Sequence, residues 1–368
     1  MKLDQLISRK HLSALIPVLQ QAGYRCVGPQ LRDGTIVYDT VSSLDPFPRG
    51  YRDRQAPGAY RLEADDSNYL FSWANGPQAL KPFLFTPREP LWQSERRADG
   101  SLRFSAVNTT DEAIAVIGVR ACDLAALALQ DAHFLRQPDP DPYYAARRKG
   151  LFLVAVNCTH PADTCFCAST GDGPAVTGGC DLLLSEFAAG FLIAAASERG
   201  RQILTQLETV AATSEQVVKA EAAVSAGIQA QSRRLPAGNL QERLFANLDH
   251  SRWHDVAARC LSCGNCTAVC PTCFCYSEHD EAALKGDLSS HYREWDSCFS
   301  QGHSAIHGIV IRADTHSRYR QWLTHKLGGW QQQYGRSGCV GCGRCISWCP
   351  VGIDITEEAA AVCTGEDR

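Results

Sequence analysis

The chain has 368 residues, and that length predicts two or three domains rather than one. A hydrophobic content of 45% is ordinary for a water-soluble protein, and a formal net charge of −4 speaks against a partner held by neutralised phosphates. Eighteen cysteines are the compositional anomaly.

In chain order, the opening stretch MKLDQLISRKHLSALIPVLQQAGY places Leu3, Leu6, Ile7, Leu12, Leu15, Ile16 and Leu19 at helical spacing, broken by charges. It reads as an amphipathic surface helix. Neither a secretory nor a twin-arginine pattern is read there, which predicts a cytoplasmic protein with reduced, metal-competent thiols. A β-rich stretch follows, through residues 23–27, 35–38 and the aromatic run 60–85. Ala113–Val119 and Leu151–Val156 are continuous apolar runs, the signature of strands buried on both faces. Residues 123–135 are helical in pattern, so a β-α-β unit is expected. Helices are predicted over 181–197 and 213–231. The longest strongly apolar stretch, Phe187–Ala196, is well short of the roughly 20 residues that span a bilayer.

Leu235–Asn239, with its Pro and Gly, reads as a linker. It divides an N-terminal α/β or α+β domain, 1–235, from a mostly helical second domain, 236–368. In the second domain, a helix over 240–259 leads to a cysteine-rich loop. Residues 276–335 are expected to be a helical insertion. Within it, residues 318–336 mix Arg318, Arg320, His325, Lys326 and Arg336 with Trp322, Trp330 and Tyr334. A partner-docking face or an ordinary amphipathic helix explains that mixture better than an RNA platform does.

Eight of the cysteines form two copies of C-x2-C-x2-C-x3-C-P: Cys260, Cys263, Cys266, Cys270 with Pro271, and Cys339, Cys342, Cys345, Cys349 with Pro350. This is the ligand run of a ferredoxin carrying two [4Fe–4S] clusters, in which the fourth cysteine of each run serves the other cluster. Cluster A is therefore expected on Cys260, Cys263, Cys266 and Cys349. Cluster B is expected on Cys339, Cys342, Cys345 and Cys270. Gly264, Gly341 and Gly343 would let the backbone approach the clusters. Each proline would open a helix leaving the cluster. Tandem C-x2-C pairs can also bind zinc, but zinc sites use two well-separated pairs, and here four thiols fall within eleven residues.

The other cysteines are not scattered evenly. Cys122 and Cys158 follow the two buried strands, and Cys165 and Cys167 come just after. Parallel strands bring their C-terminal ends together, so these four thiols are candidate ligands of a third cluster, with Arg120 and Asp123 around them. Inert burial is the alternative for any one of them. Cys180 is a rival ligand. Thr272-Cys273-Phe274-Cys275 repeats Thr164-Cys165-Phe166-Cys167, and Cys298 follows. Cys273, Cys275 and Cys298 fall one short of a tetrathiolate site. They could recruit His303, share a site with the other segment, or pack beside cluster B. Cys26 and Cys363 read as incidental.

No G-x-G-x-x-G follows a strand and no P-loop is present, so neither flavin nor nicotinamide is expected in this chain. No catalytic constellation can be argued. The chain reads as one that carries electrons and leaves bond chemistry to partners. The rival classes are a zinc-stabilised binding module and a stand-alone catalyst reducing sulfur compounds at an open iron.

Several segments together carry a family resemblance: Gly76-Pro77, Lys81–Phe85, Gly118–Asp123, Asp141–Tyr144, Asn157-Cys158, Thr164–Cys167, the first ferredoxin run through Cys275, Trp295–Cys298 and Val340–Cys345. The chain resembles the β subunit of soluble NADP-linked [NiFe] hydrogenases, or sulfhydrogenases. It is also similar to the iron–sulfur electron-transfer component of anaerobic sulfite reductase. The first resemblance implies a subunit that passes electrons between a flavin subunit handling NAD(P)H and the small and large subunits of a [NiFe] hydrogenase. The second implies that the terminal acceptor is a siroheme subunit.

Overall fold

A computed structural model describes residues 2–107 and 112–364. An eight-stranded mixed sheet organises the N-terminal part. Its strands are β1 (Gln5–Ile7), β2 (Arg25–Arg32), β3 (Thr35–Thr40), and, after two hairpin pairs, four central strands and a short edge strand. The hairpin pairs are β4 (Tyr51–Ala56) with β5 (Ala59–Ala64), and β6 (Arg88–Arg96) with β7 (Leu102–Ala106). The central strands are β8 (Ile114–Val119), β9 (Leu151–Val156), β10 (Leu182–Phe187) and β11 (Gly190–Ala195), and β12 (Val210–Ala211) closes the edge. The spatial order is β12-β1-β11-β10-β9-β8-β2-β3. β2, β8, β9 and β10 run parallel, and the flanking pairs are antiparallel.

The parallel centre is where the fully apolar sequences lie. β9 and β10 are buried at every residue because cores cover both faces. Helix α1 (Leu15–Gln21) packs on one face, while α2 (Ala121–Phe134) crosses the other between β8 and β9 and completes the expected β-α-β unit.

Three expectations are corrected here. Residues 5–7 form a short strand paired between β12 and β11, and the opening helix is confined to a 3₁₀ turn at His11–Ala14 and to α1. Residues 181–197 form the β10–β11 hairpin, not a helix. A short apolar run carries no period that separates a buried strand from a buried helix, and the break is at Ala188-Ala189-Gly190, where Gly190 takes φ 146°. The insertion 276–335 is not wholly helical. It opens with β13 (Tyr276–Ala282) and β14 (Leu288–Trp295), which join β6 and β7 in a four-stranded sheet ordered β13-β14-β6-β7. Arg293 on β14 pairs with Glu89 on β6 and with Asp141, so buried charge holds this sheet to the N-terminal part. After a 3₁₀ turn at Gly302–Ser304, helical structure runs from Thr315–Thr324 on to Tyr334.

The expected 240–259 helix is two helices, Leu240–Ala246 and Arg252–Arg259. With Thr315–Thr324 and Ile355–Thr364 they enclose a third core containing Trp253, Tyr319, Trp322 and Leu323. Phe166 belongs to that core although it comes from the N-terminal part. No helix among the described residues is long and apolar enough to cross a membrane.

Candidate iron–sulfur site

The two ferredoxin runs fold as a structural repeat. Each is a loop that enters a left-handed turn and then one short helix. Ser262 has φ 50° and Gly341 φ 63°; Gly264 and Gly343 follow with φ 76° and 74°. The helices Asn265–Ala268 and Arg344–Ser347 come next. In each loop a backbone N–H two residues on donates to the first thiol: Ser262 N to Cys260 Sγ, and Gly341 N to Cys339 Sγ, both at 3.4 Å. Such N–H···S contacts offset thiolate charge and tune a cluster's potential. The prolines do not act alike. Pro350 precedes the helix Ile355–Thr364 after a short gap, whereas Pro271 leads into the second Cys-Phe-Cys segment and β13, so the expected helix after Pro271 is absent.

The thiols gather in the crossed pattern. Cys260, Cys263, Cys266 and Cys349 line one cavity, which Cys345 also lines. Cys345, Cys339 and Cys342 neighbour one another and Cys270. All these thiols are unpaired. Burial pushes Cys339 up to about 12 and Cys342 up to about 11. Cysteine ligates iron as the thiolate, so loading such a site would release protons. Cys263 is the exposed cysteine, beside an exposed Leu261.

The N-terminal cysteines form a further group. Cys122 opens α2 at the end of β8, Cys158 follows β9, and the segment 164–167 folds back over them. Cys165 neighbours Cys167 and Cys158, and Cys122 neighbours Cys167. Burial pushes Cys167 up to about 12, opposed by Gln231, whose Nε2 donates to its Sγ at 3.2 Å. Cys342 of the second ferredoxin loop neighbours Cys122, Cys165 and Cys167.

The contact between the two loops is close. Phe166 N donates to Gly341 O at 2.8 Å. A Cβ on Gly341 would stand 2.5 Å from Cys167 N, and one on Gly343 would stand 2.4 Å from Thr164 O. Both glycines are required twice over, by positive φ and by the neighbouring backbone. Thr164 shares a hydrogen bond with Ser347 at 2.8 Å, and Thr272 Oγ1 donates to Gly338 O at 2.7 Å. The two Thr-Cys-Phe-Cys segments thus brace the second ferredoxin loop at its two ends.

Polar residues around the thiols are themselves buried. Arg120 donates to Phe71 O at 2.9 Å and Trp73 O at 2.7 Å, and Arg344 pairs with Asp123 at 2.7 Å. Arg120 and Asp123 were legible beside Cys122. Lys81 and Lys326 were not. Lys326 Nζ donates to Thr272 Oγ1 at 2.9 Å, and Lys81 Nζ lies 3.7 Å from the Trp295 ring centre. Burial pulls Lys81 down to about 8, against the pull of Cys273 and Cys270. A lysine in an apolar sequence signals nothing until the fold places it against thiols.

Other cysteines stay apart from these groups. Cys180 lies in the core with Asp181 as its charged neighbour, and Cys26 Sγ reaches Ile16 O at 3.8 Å. Cys363 packs in the C-terminal core near Arg243.

Comparison with known proteins bears on the ferredoxin runs and on the chain as a whole. Residues 259–353 match the 4Fe-4S dicluster domain. The resemblance is to a sulfhydrogenase β subunit. Sulfhydrogenase 2 subunit beta of Pyrococcus furiosus is 28% identical over 343 residues, covering 91% of this chain and 91% of that protein. No solved structure matches. The iron–sulfur, electron-transfer character expected of the chain is therefore supported from both the domain and the whole-length relative.

Proposed function

We propose that the chain is the electron-transfer subunit of a multisubunit oxidoreductase, relaying single electrons through three [4Fe–4S] clusters. Cluster A takes Cys260, Cys263, Cys266 and Cys349; cluster B takes Cys339, Cys342, Cys345 and Cys270; the third takes Cys122, Cys158, Cys165 and Cys167. The clusters supply the redox chemistry when bound. The chain's residues hold them, exclude water and donate N–H groups to sulfur.

The observation that carries this reading is the continuity of the thiols. Cys342 adjoins the N-terminal group, and Cys345 neighbours Cys266 of the first run. An electron entering at one end has a neighbouring centre at each step, in the order third cluster, B, A. Exposure of Cys263 and Leu261 suits A as the terminus facing a partner.

The resemblance to a sulfhydrogenase β subunit favours a flavin subunit handling NAD(P)H at one end and the [NiFe] hydrogenase small and large subunits at the other. We assign the complex to the cytoplasm and divide the chain at residue 235. Metal and acid-labile sulfide analysis tests the reading. At least about twelve irons per chain are expected for these three clusters, about eight would remove the third cluster, and zinc without sulfide would overturn the whole. Co-purification with flavin and nickel subunits tests the partners; a siroheme subunit instead would point to a sulfite reductase.

A further inference from the structure

Cys273, Cys275 and Cys298 are used by none of these three clusters, yet the fold draws them together. Cys298 neighbours Cys275, and Cys273 and Cys275 line one cavity with Lys81, Trp295 and Asp296. The cavity is about 240 Å³, several times the roughly 30 Å³ that one water occupies in the liquid; Cys263 also lines it, and Cys298 and His303 adjoin it through Cys275. Among the described residues no three His, Cys, Asp or Glu side chains converge tightly enough for a single metal ion. The same holds for the ferredoxin cysteines, as suits sulfurs that a cubane would space apart.

The fourth donor is a histidine. His303 Nδ1 is 3.0 Å from Asp296 Oδ2, and Cys275 is the thiol that meets the ring. A carboxylate on one ring nitrogen fixes the tautomer and leaves Nε2 as the ligating atom, the usual arrangement behind a metal-bound imidazole. Trp295 adds a second indication. Its buried Nε1 finds no acceptor among the described residues, as suits a donor waiting on an inorganic sulfur. The buried ammonium of Lys81, beside Cys273 and Cys275, compensates anionic charge there.

From this geometry we propose a fourth [4Fe–4S] cluster, held by Cys273, Cys275, Cys298 and His303. It rests on the electron-transfer reading above and extends it. Cys298 neighbours Cys266, and Cys273 touches Cys270, so the fourth cluster stands beside both A and B as a side branch of the line. A neutral imidazole in place of one thiolate leaves the cluster less negative, which raises its potential relative to an all-cysteine cluster.

The test uses the full-length chain, isolated or reconstituted without oxygen. Wild type is expected to hold about sixteen irons and as many sulfides, and Cys275→Ser or Cys298→Ser to lose about four of each. His303→Cys should keep the iron and move one reduced-cluster signal to lower potential. Labelling with ¹⁵N-histidine should alter the nitrogen hyperfine coupling of that same signal. Wild type at about twelve irons, with Cys275→Ser unchanged, overturns the fourth cluster and leaves the other three. An unaltered potential and coupling for His303→Cys would assign the fourth ligand elsewhere and overturn the histidine. Cys122→Ser serves as the separate control: loss of nothing there would remove the third cluster without touching this proposal.

Discussion

Arg344 and Asp123 form a buried ion pair at 2.7 Å between the second ferredoxin loop and the first turn of α2. Each lies next to a thiol of its own group, Cys345 and Cys122, and Asn75 also donates to the Asp123 carboxylate. The pair therefore fixes how the N-terminal thiols sit against the second ferredoxin loop. Arg344→Leu leaves a buried carboxylate without its cation, an error that typically costs about 3–5 kcal/mol. Urea unfolding of the loaded chain should record that loss, and Arg344→Lys should recover only part of it because a point charge replaces the planar fork. Wild-type stability in Arg344→Leu would show that the loops are held by other means.

Gly341→Ala and Gly343→Ala should each damage the joint between the two loops. The added methyl meets backbone at 2.5 and 2.4 Å, and neither segment can withdraw without moving a proposed ligand. The third cluster and cluster B are expected to be lost or altered together, while cluster A keeps its spectrum. Electron paramagnetic resonance of the reduced variants checks this; damage confined to A would contradict it. Gly286→Ala, at positive φ with open space around it, is the control for backbone strain alone.

Cys122→Ser and Cys165→Ser should each remove about four irons and one cluster signal, sparing the C-terminal pair. Phe166→Ala acts differently. It keeps every thiol but empties a fully buried site in the C-terminal core, at a cost of about 3–5 kcal/mol. Its Tm should fall with the iron content unchanged at room temperature.

Acid should loosen the contact between α2 and the helix near Trp330. His133 stacks on Phe274 with centroids 3.5 Å apart, and Trp330 Nε1 donates to His325 Nε2 at 3.1 Å, which requires that nitrogen unprotonated. Burial pulls both histidines down to about 4. Unfolded, they titrate near 6.5. Their lowered folded values add stability that is whole above about pH 6.5 and lost as pH falls toward 4. His133→Phe with His325→Gln should flatten the denaturation midpoint across that window; an equal slope in wild type and variant would place the acid sensitivity elsewhere.

Much of the site was legible because cysteine spacing is a local constraint. A cubane needs thiolates at set intervals along one loop, so Cys260 to Cys270 and Cys339 to Cys349 announce themselves without a fold. Cys122 and Cys158 were legible at one remove, through the rule that parallel strands end side by side. Lys81, Lys326 and Gln231 were not, because their importance is a matter of distance to residues remote in sequence. The hairpin at 182–195 is not legible, because a run buried on all sides has no polar face to show its period.

The amino-acid sequence by itself determined the chemistry: sulfur ligands in two ferredoxin repeats, and a buried β-α-β unit with thiols at its strand ends. Tertiary structure alone decided their order in space. Stacking of residues 164–167 on 341–343, the Arg344–Asp123 pair and the pairing of β14 with β6 join segments far apart in sequence, and no local pattern encodes a contact whose energy appears only when two distant backbones meet.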